Sequence, residues 1–292
     1  LFSEYTYAII KKINKKLVIF PSTFGPFLYG WTTKLFQHVF PKIDLVYARD
    51  QESYDICKKL LKTDKNIVKT SDVAIFQSWE NKKNEFKKKY NKPIIGISVM
   101  KWIYVANIED TAYSNYTSYV EEMVLLIDRI LSNYNVHIIL FPTNFPVHGA
   151  QGDDVKVCDE IYQKCNRPKD VSYLKNLVSP REFKSMLSAS DINIITRMHA
   201  CILSTSAYVP TIGIAYLFKV KEYMNDIGLG DFCVDIEYFE HKKVFMMFEE
   251  MWNRKQEICD NLQNIIENKK VQLLESLNEI DSIILNENPS YK

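Results

Sequence analysis

Two alternating hydrophobic rhythms constrain this chain more than any other feature. Short runs rich in Val and Ile recur at Leu17–Phe20, Asp44–Ala48, Ile94–Val99, Val136–Phe141, Ile192–Thr196 and Thr211–Ala215. They are apolar on successive residues, the pattern of strands covered on both faces, and such strands belong to parallel sheets. Longer amphipathic stretches lie between them: Gln51–Leu61, Tyr116–Ser132, Asp154–Cys165, Arg181–Ser188 and Phe218–Ile227. Strand–helix–strand repeats of this kind build open, mainly parallel α/β sheets with right-handed crossovers. A length of 292 residues exceeds what one compact core usually carries, so two doubly wound domains are expected. Ligands of such sheets bind in the crevice beyond the carboxyl ends of the strands, and two such domains would face each other across a cleft there.

The most polar interruption is Asn81–Lys92, NKKNEFKKKYNK, directly before a new strand. It reads as a solvated helix face and loop, and it marks the expected boundary. The expected division is an N-terminal domain over 1–85, a fuller C-terminal domain over 86–240, and C-terminal helices over 241–292 that pack back on the N-terminal domain. Phe245, Phe248, Met251, Trp252, Ile258 and Leu262 form a core stripe on those helices. The chain opens on Leu with a helical pattern, Tyr5, Ala8, Ile9 and Ile13, that runs straight into a strand. An α/β domain rarely begins that way, so the N-terminal domain is expected to be incomplete.

Charge and composition exclude more than they suggest. Lys plus Arg total 37 and Asp plus Glu 36, a net charge of +1, which gives no electrostatic ground for a nucleic-acid partner. No apolar run is long enough to span a bilayer. A cytoplasmic protein is expected, with peripheral membrane contact still open. The six cysteines, 57, 158, 165, 201, 233 and 259, show neither CxxC nor zinc-type spacing and read as reduced thiols.

Chemistry is therefore sought just after each strand. Ser22, Thr23 and Gly25 follow the first, as a tight turn or as hydroxyls for a ligand. Arg49 and Asp50 follow the second: Asp50 suits a helix N-cap, and Arg49 can bind an anion or hold the loop. Ser98 and Lys101 lie at the end of Ile94–Val99, where a lysine can hold a phosphate or carboxylate as a point charge or simply face solvent. The polar loop 142–154 carries His148, Asp153 and Asp154; one of the two acids suits an N-cap, and no metal site is assigned. After Ile192–Thr196 come Arg197, Met198 and His199. Histidine at a strand-to-helix turn can serve as general acid or base, and Arg197 can clamp a carboxylate or phosphate. The same pair also fits a His capping its own turn beside an Arg in a buried structural pair. After Thr211–Ala215, Tyr216 can stack on a sugar, and Lys219 opens a helix whose dipole a ligand anion would complement.

These landmarks, in their order, resemble the polysaccharide pyruvyl transferase family. Arg197-Met198-His199-Ala200 looks like the family's Arg-Leu-His-Ala, preceded by Ser190-Asp191 and followed by Val209-Pro210, Tyr216, Lys219 and Ile227-Gly228-Leu229. Upstream, Ser22-x-x-Gly25-Pro26-Phe27, Ala48-Arg49-Asp50-x-x-Ser53 and Ser71-Asp72-Val73-Ala74 also match in order. The resemblance covers most of residues 17 to 230. It implies two Rossmann-like domains of GT-B-like arrangement, and transfer of pyruvate from phosphoenolpyruvate onto a sugar of a cell-surface polysaccharide or its lipid-linked precursor, giving a ketal. It makes His199 the acid/base, Arg197 the binder of the donor's phosphate or carboxylate, and Met198 part of the donor pocket's lining. No cofactor beyond the donor substrate is implied. The chain departs from the family at Met100, where an Arg is often found, with Lys101 next to it. A nucleotide-sugar glycosyltransferase or epimerase and a catalytically inactive glycan-binding member are the alternatives.

Overall fold

The computed structural model describes residues 16–25, 27, 29–62, 66–102, 109–145 and 153–285. The N-terminal pattern at Tyr5–Ile13, Pro26 and the loop residues His148 and Gly149 lie outside them. The chain divides into two compact units, 1–75 with 267–292, and 76–266.

The first unit holds β1 (Val18–Ser22), α1 (Gly30–Val39), β2 (Leu45–Ala48), α2 (Gln51–Leu61) and β3 (Ile67–Lys69). The three strands are parallel, in the order β1-β2-β3. Asp50 starts α2 as its N-cap, accepting from the Ser53 amide at 2.7 Å. Phe24, Phe36, Phe40, Val46, Cys57 and Ile67 form the core between sheet and helices. Gly25 has φ +84°, and a Cβ there would stand 2.8 Å from Ile56 Cδ1, so the turn out of β1 needs glycine.

The second unit contains α3 (Lys83–Tyr90), β4 (Ile94–Val99), α4 (Glu109–Asn133), β5 (His137–Pro142), α5 (Asp154–Lys164), β6 (Val171–Tyr173), α6 (Pro180–Leu187), β7 (Ile192–Ile195), α7 (Met198–Thr205), β8 (Thr211–Ala215), α8 (Phe218–Asp226), β9 (Cys233–Asp235), α9 (His241–Asn253) and the start of α10 (Lys255–Leu285). All six strands are parallel, ordered β6-β5-β4-β7-β8-β9. Counted from β4 this is 3-2-1-4-5-6, the order of doubly wound nucleotide-binding sheets. The direction of winding reverses between β4 and β7, whose residues are buried throughout. That reversal opens a crevice at the carboxyl ends of these two strands.

The division between units falls at 75/76 rather than at 85. The reason is local: Lys184 Nζ donates to the Gln77 carbonyl at 2.8 Å, the Glu80 amide donates to Ser185 Oγ at 2.9 Å, and Phe86 of α3 is buried. The charged segment Asn81–Lys92 thus belongs to the second unit. Helix α9 likewise belongs to the second unit, where it packs on α4. The Glu122 carboxylate accepts from the His241 amide at 2.6 Å, and Tyr134 meets Phe248 and Trp252 edge-on. Only 267–285 of α10 joins the first unit, where the Tyr47 hydroxyl donates to the Ser276 carbonyl at 2.5 Å. Among the described residues no helix is long and apolar enough to cross a membrane.

Candidate active site at the strand ends of the six-stranded sheet

Helix α7 begins directly beyond β7, at the reversal of the sheet. Its residues are small or apolar because the helix is almost wholly enclosed: Met198 and Ala200–Thr205 are all buried. His199 alone among its eight residues is exposed. A polar network fixes the helix to the sheet. Asn193 Nδ2 donates to Ser204 Oγ at 2.8 Å, and Ser204 lies 2.7 Å from Thr211 Oγ1. Arg197 is the N-cap, in extended conformation, and makes no side-chain cap hydrogen bond. The Arg197 side chain thus does not cap α7, whose N-terminal end carries the positive pole of the helix dipole.

The Arg197 guanidinium is steered away from its own helix. Its Nη2 donates to Asp154 Oδ1 at 3.1 Å and Oδ2 at 3.2 Å. The Arg197 side chain is 26% exposed and that of Asp154 is 0% exposed. The same carboxylate accepts from the Lys101 amide at 3.0 Å, from Thr143 Oγ1 at 3.0 Å and from the Asn144 amide at 2.9 Å. Three strand exits, those of β4, β5 and β7, thus meet on one acid. Behind Arg197, Thr196 Oγ1 donates to the Ser98 carbonyl at 2.9 Å and lies 3.2 Å from the Tyr119 hydroxyl. Burial pushes the Tyr119 phenol well above its usual range, and that hydroxyl stays protonated.

Arg197, Met198, His199 and Lys101 come together here, Lys101 through its backbone. Met198 is buried. Ser98 is fully buried, and among the described residues its hydroxyl has no partner. Tyr216 and Lys219, both half-buried, lie at the exit of β8, the strand beside β7. Cys201, two residues after His199, is buried, and burial raises its thiol well above the ordinary value. It is a packing residue, not a nucleophile. Among the described residues no group of three His, Cys, Asp or Glu is placed to hold a metal ion.

Ser22, Gly25 and Arg49 sit in the first unit. There the three upstream motifs form one network. Arg49 Nη1 pairs with Asp72 Oδ2 at 2.5 Å and Arg49 Nε donates to Thr23 Oγ1 at 2.6 Å. Thr23 Oγ1 in turn donates to Asp50 Oδ2 at 3.1 Å, and the Ala74 amide donates to Asp72 Oδ1 at 2.9 Å. The Ser22 hydroxyl donates to the Phe20 carbonyl at 2.9 Å. These contacts tie the exits of β1, β2 and β3 together.

What sequence reading missed is the role of Asp154, named there only as one of two possible helix caps. Two adjacent acids before a helix look like one cap and a spare. Asp153 is the cap, accepting from the Val155 and Lys156 amides. The spare acid is the hub, and the only signal for it was that the cap was already supplied.

Solved structures share this fold. Anabaena Alr3699/HepE in complex with UDP and glucose aligns with a TM-score of 0.60 at 14% identity, over 95% of this chain and 74% of that one. S. aureus MnaA with UDP aligns with a TM-score of 0.60 at 14% identity, over 88% and 65%. A UDP-forming α,α-trehalose-phosphate synthase from Burkholderia xenovorans aligns with a TM-score of 0.59 at 9% identity, over 94% and 70%. The fold is that of the GT-B transferases. Within it, the family model for polysaccharide pyruvyl transferase matches residues 3–217, and the chain belongs to that family.

Proposed function

We propose that this protein transfers pyruvate from phosphoenolpyruvate onto two hydroxyls of a sugar, in a cell-surface polysaccharide or its lipid-linked precursor, forming a cyclic ketal. The observation that carries the reading is the position of His199. It is the one solvent-exposed residue of a buried helix, two positions after an arginine held at the reversal of a doubly wound sheet.

The chemistry asks for such a pair. The methylene carbon of the enol takes a proton and becomes a methyl group, leaving positive charge on the carbon that bears the phosphate. A sugar hydroxyl attacks that carbon and gives up its proton. The carbon–oxygen bond to phosphate breaks, phosphate leaves, and a second hydroxyl closes the ring with loss of its own proton. The two protons released by the diol balance those taken by the methyl group and the departing phosphate. A single histidine working near neutral pH can carry them. The donor bears a carboxylate and a phosphate, and cations or helix N-termini must hold it. Arg197 serves that role in this reading, with Lys219 and Lys101 as further cations and Tyr216 and Met198 lining the pocket.

The test is incubation with phosphoenolpyruvate and candidate glycans, following phosphate release and the ketal methyl signal. His199→Ala is expected to lower turnover by about 10²-fold or more, the usual contribution of an acid/base group. Turnover that survives this change intact removes His199 from the mechanism. A second reading, a nucleotide-sugar transferase, is favoured by the sheet order of the second unit and by the UDP named in the solved relatives. Thermal stabilisation by UDP-sugars and none by phosphoenolpyruvate selects it.

A further inference from the structure

We propose that Asp154 is the positioning residue of the donor-anion site, setting donor affinity through the guanidinium of Arg197. The inference rests on the reading of Arg197 as the ligand of the donor's phosphate or carboxylate.

Helix α5 does not need this acid. Its N-cap is the neighbouring Asp153. The Asp154 carboxylate is nonetheless fully buried, and an ionised acid loses several kcal/mol of hydration on burial unless its partners compensate. What the acid does instead is collect donors from the exits of β4, β5 and β7: the Lys101 amide, the Thr143 hydroxyl, the Asn144 amide and Arg197 Nη2. Arg197 is held at some expense as well, since its Nε is buried without a partner. Only Nη2 of the guanidinium is engaged, and the side chain is partly exposed. Among the described residues Nη1 has no protein partner, so a fixed, half-open fork is left for an anion.

The sign of the effect separates positioning from charge. If Arg197 acted as a charge alone, removing the negative charge at Asp154 would tighten anion binding. If its place in space matters, the same change weakens it. The full chain and its Asp154→Asn, Asp153→Asn, Thr143→Val and Arg197→Ala variants are titrated calorimetrically with phosphoenolpyruvate and, separately, with inorganic phosphate. Arg197→Ala and Asp154→Asn are expected to raise Kd about tenfold or more, because a misplaced guanidinium loses its geometry. The double variant is expected to bind no worse than Arg197→Ala. Thr143→Val, which removes one donor from the carboxylate without changing any charge, is expected to weaken binding about threefold. Asp153→Asn, which keeps a capping oxygen at the start of α5, is expected to leave Kd unchanged. In turnover, Asp154→Asn raises the donor KM while kcat stays near that of the parent.

Equal or tighter anion binding by Asp154→Asn overturns the proposal, as does an Asp153→Asn variant that loses as much affinity. If Asp154→Asn does not fold, Thr143→Val decides, and an unchanged Kd there overturns it. A parent protein that binds phosphate but not phosphoenolpyruvate sinks the pyruvyl-donor reading, and the phosphate series then judges Asp154 alone. A parent that binds neither overturns both.

Discussion

Gly96 lies in β4, directly opposite Asn193 of β7, and its lack of a side chain is what lets β7 sit where it does. A Cβ at this position would stand 2.0 Å from Asn193 Oδ1, 2.8 Å from Ser190 Oγ and 3.0 Å from the Phe141 ring. Backbone on both sides is fixed by parallel pairing, Gly96 opposite Asn193 and Ile139. Gly96→Ala must therefore displace the Asn193 amide. That amide donates to the Leu187 carbonyl at 3.2 Å and to Ser204 Oγ at 2.8 Å. Overpacking of a tight core costs about 1–3 kcal/mol. Two buried hydrogen bonds add about 1 kcal/mol each, giving about 3–5 kcal/mol in all. Asn193→Ala alone forfeits the same two bonds but also removes Oδ1, which is buried without a partner, so about 2 kcal/mol is expected. In the double variant the new methyl enters the vacated space, and the total stays at about 2 kcal/mol, a coupling of about −3 to −5 kcal/mol. Hydrogen exchange of the β4 amides reads the local opening energy of these four proteins. Additive losses, with the double variant worse than either single one, would refute the clash as the cause.

Two further outcomes follow from buried charges. Burial lowers the His137 imidazole from 6.5 to about 4, while its ring stacks on Tyr90 at 4.0 Å. The unfolded chain takes up a proton as pH falls through 6.5 and the folded one only near 4. Stability is thus full above 6.5 and falls by about 3 kcal/mol across that window, and His137→Phe is expected to flatten it in urea titrations run from pH 7 to pH 4. The steeper acid limb remains in that variant, because Lys92 and Arg167 hold the Asp170 carboxyl below the usual range and its contribution vanishes only as pH falls further. In the first unit, Arg49→Met strands the Asp72 carboxylate, whose side chain is 8% exposed, and is expected to cost about 2–4 kcal/mol. Arg49→Met/Asp72→Ala is expected to recover part of that loss in thermal melting, and a double variant as unstable as the sum of the singles would show the pair to be uncoupled.

Strands covered on both faces were legible because their apolar runs need no partner to be recognised. Ile94–Val99 and Thr211–Ala215 match their sequence limits residue for residue. Each strand missed, Ile67–Lys69, Val171–Tyr173 and Cys233–Asp235, has three residues and lies at the edge of its sheet. Three residues carry no measurable period, and only pairing with a neighbour makes them strands. Helix α1 was missed for a related reason: it opens on Gly30, and its Tyr29 N-cap offers no capping oxygen. Arg197 and His199 could be found from the sequence because a strand run and a helix start bracket them. Asp154 could not, because its partners are 10, 11, 43 and 53 residues away and only the winding of the sheet brings them to it.

The same geometry changes the meaning of position 100. Met100 is buried, 2% exposed. What the exit of β4 contributes through the next residue is the Lys101 amide, which any non-proline residue would supply. The Asp154 carboxylate offsets the charge of Arg197, leaving the pair close to neutral. On the pyruvyl-transfer reading, the fork of Arg197 then supplies direction and the attraction for a polyanionic donor must come from other groups. The N-terminal end of α7 is one, and Lys101 and Lys219, the latter in the first turn of α8 beside it, are others. A lysine there opposes its own helix dipole, and a bound anion relieves that opposition, so its charge works best when the donor is present. Substituting Lys219 should therefore flatten the salt dependence of donor binding, whereas substituting Arg197 should abolish affinity at every ionic strength.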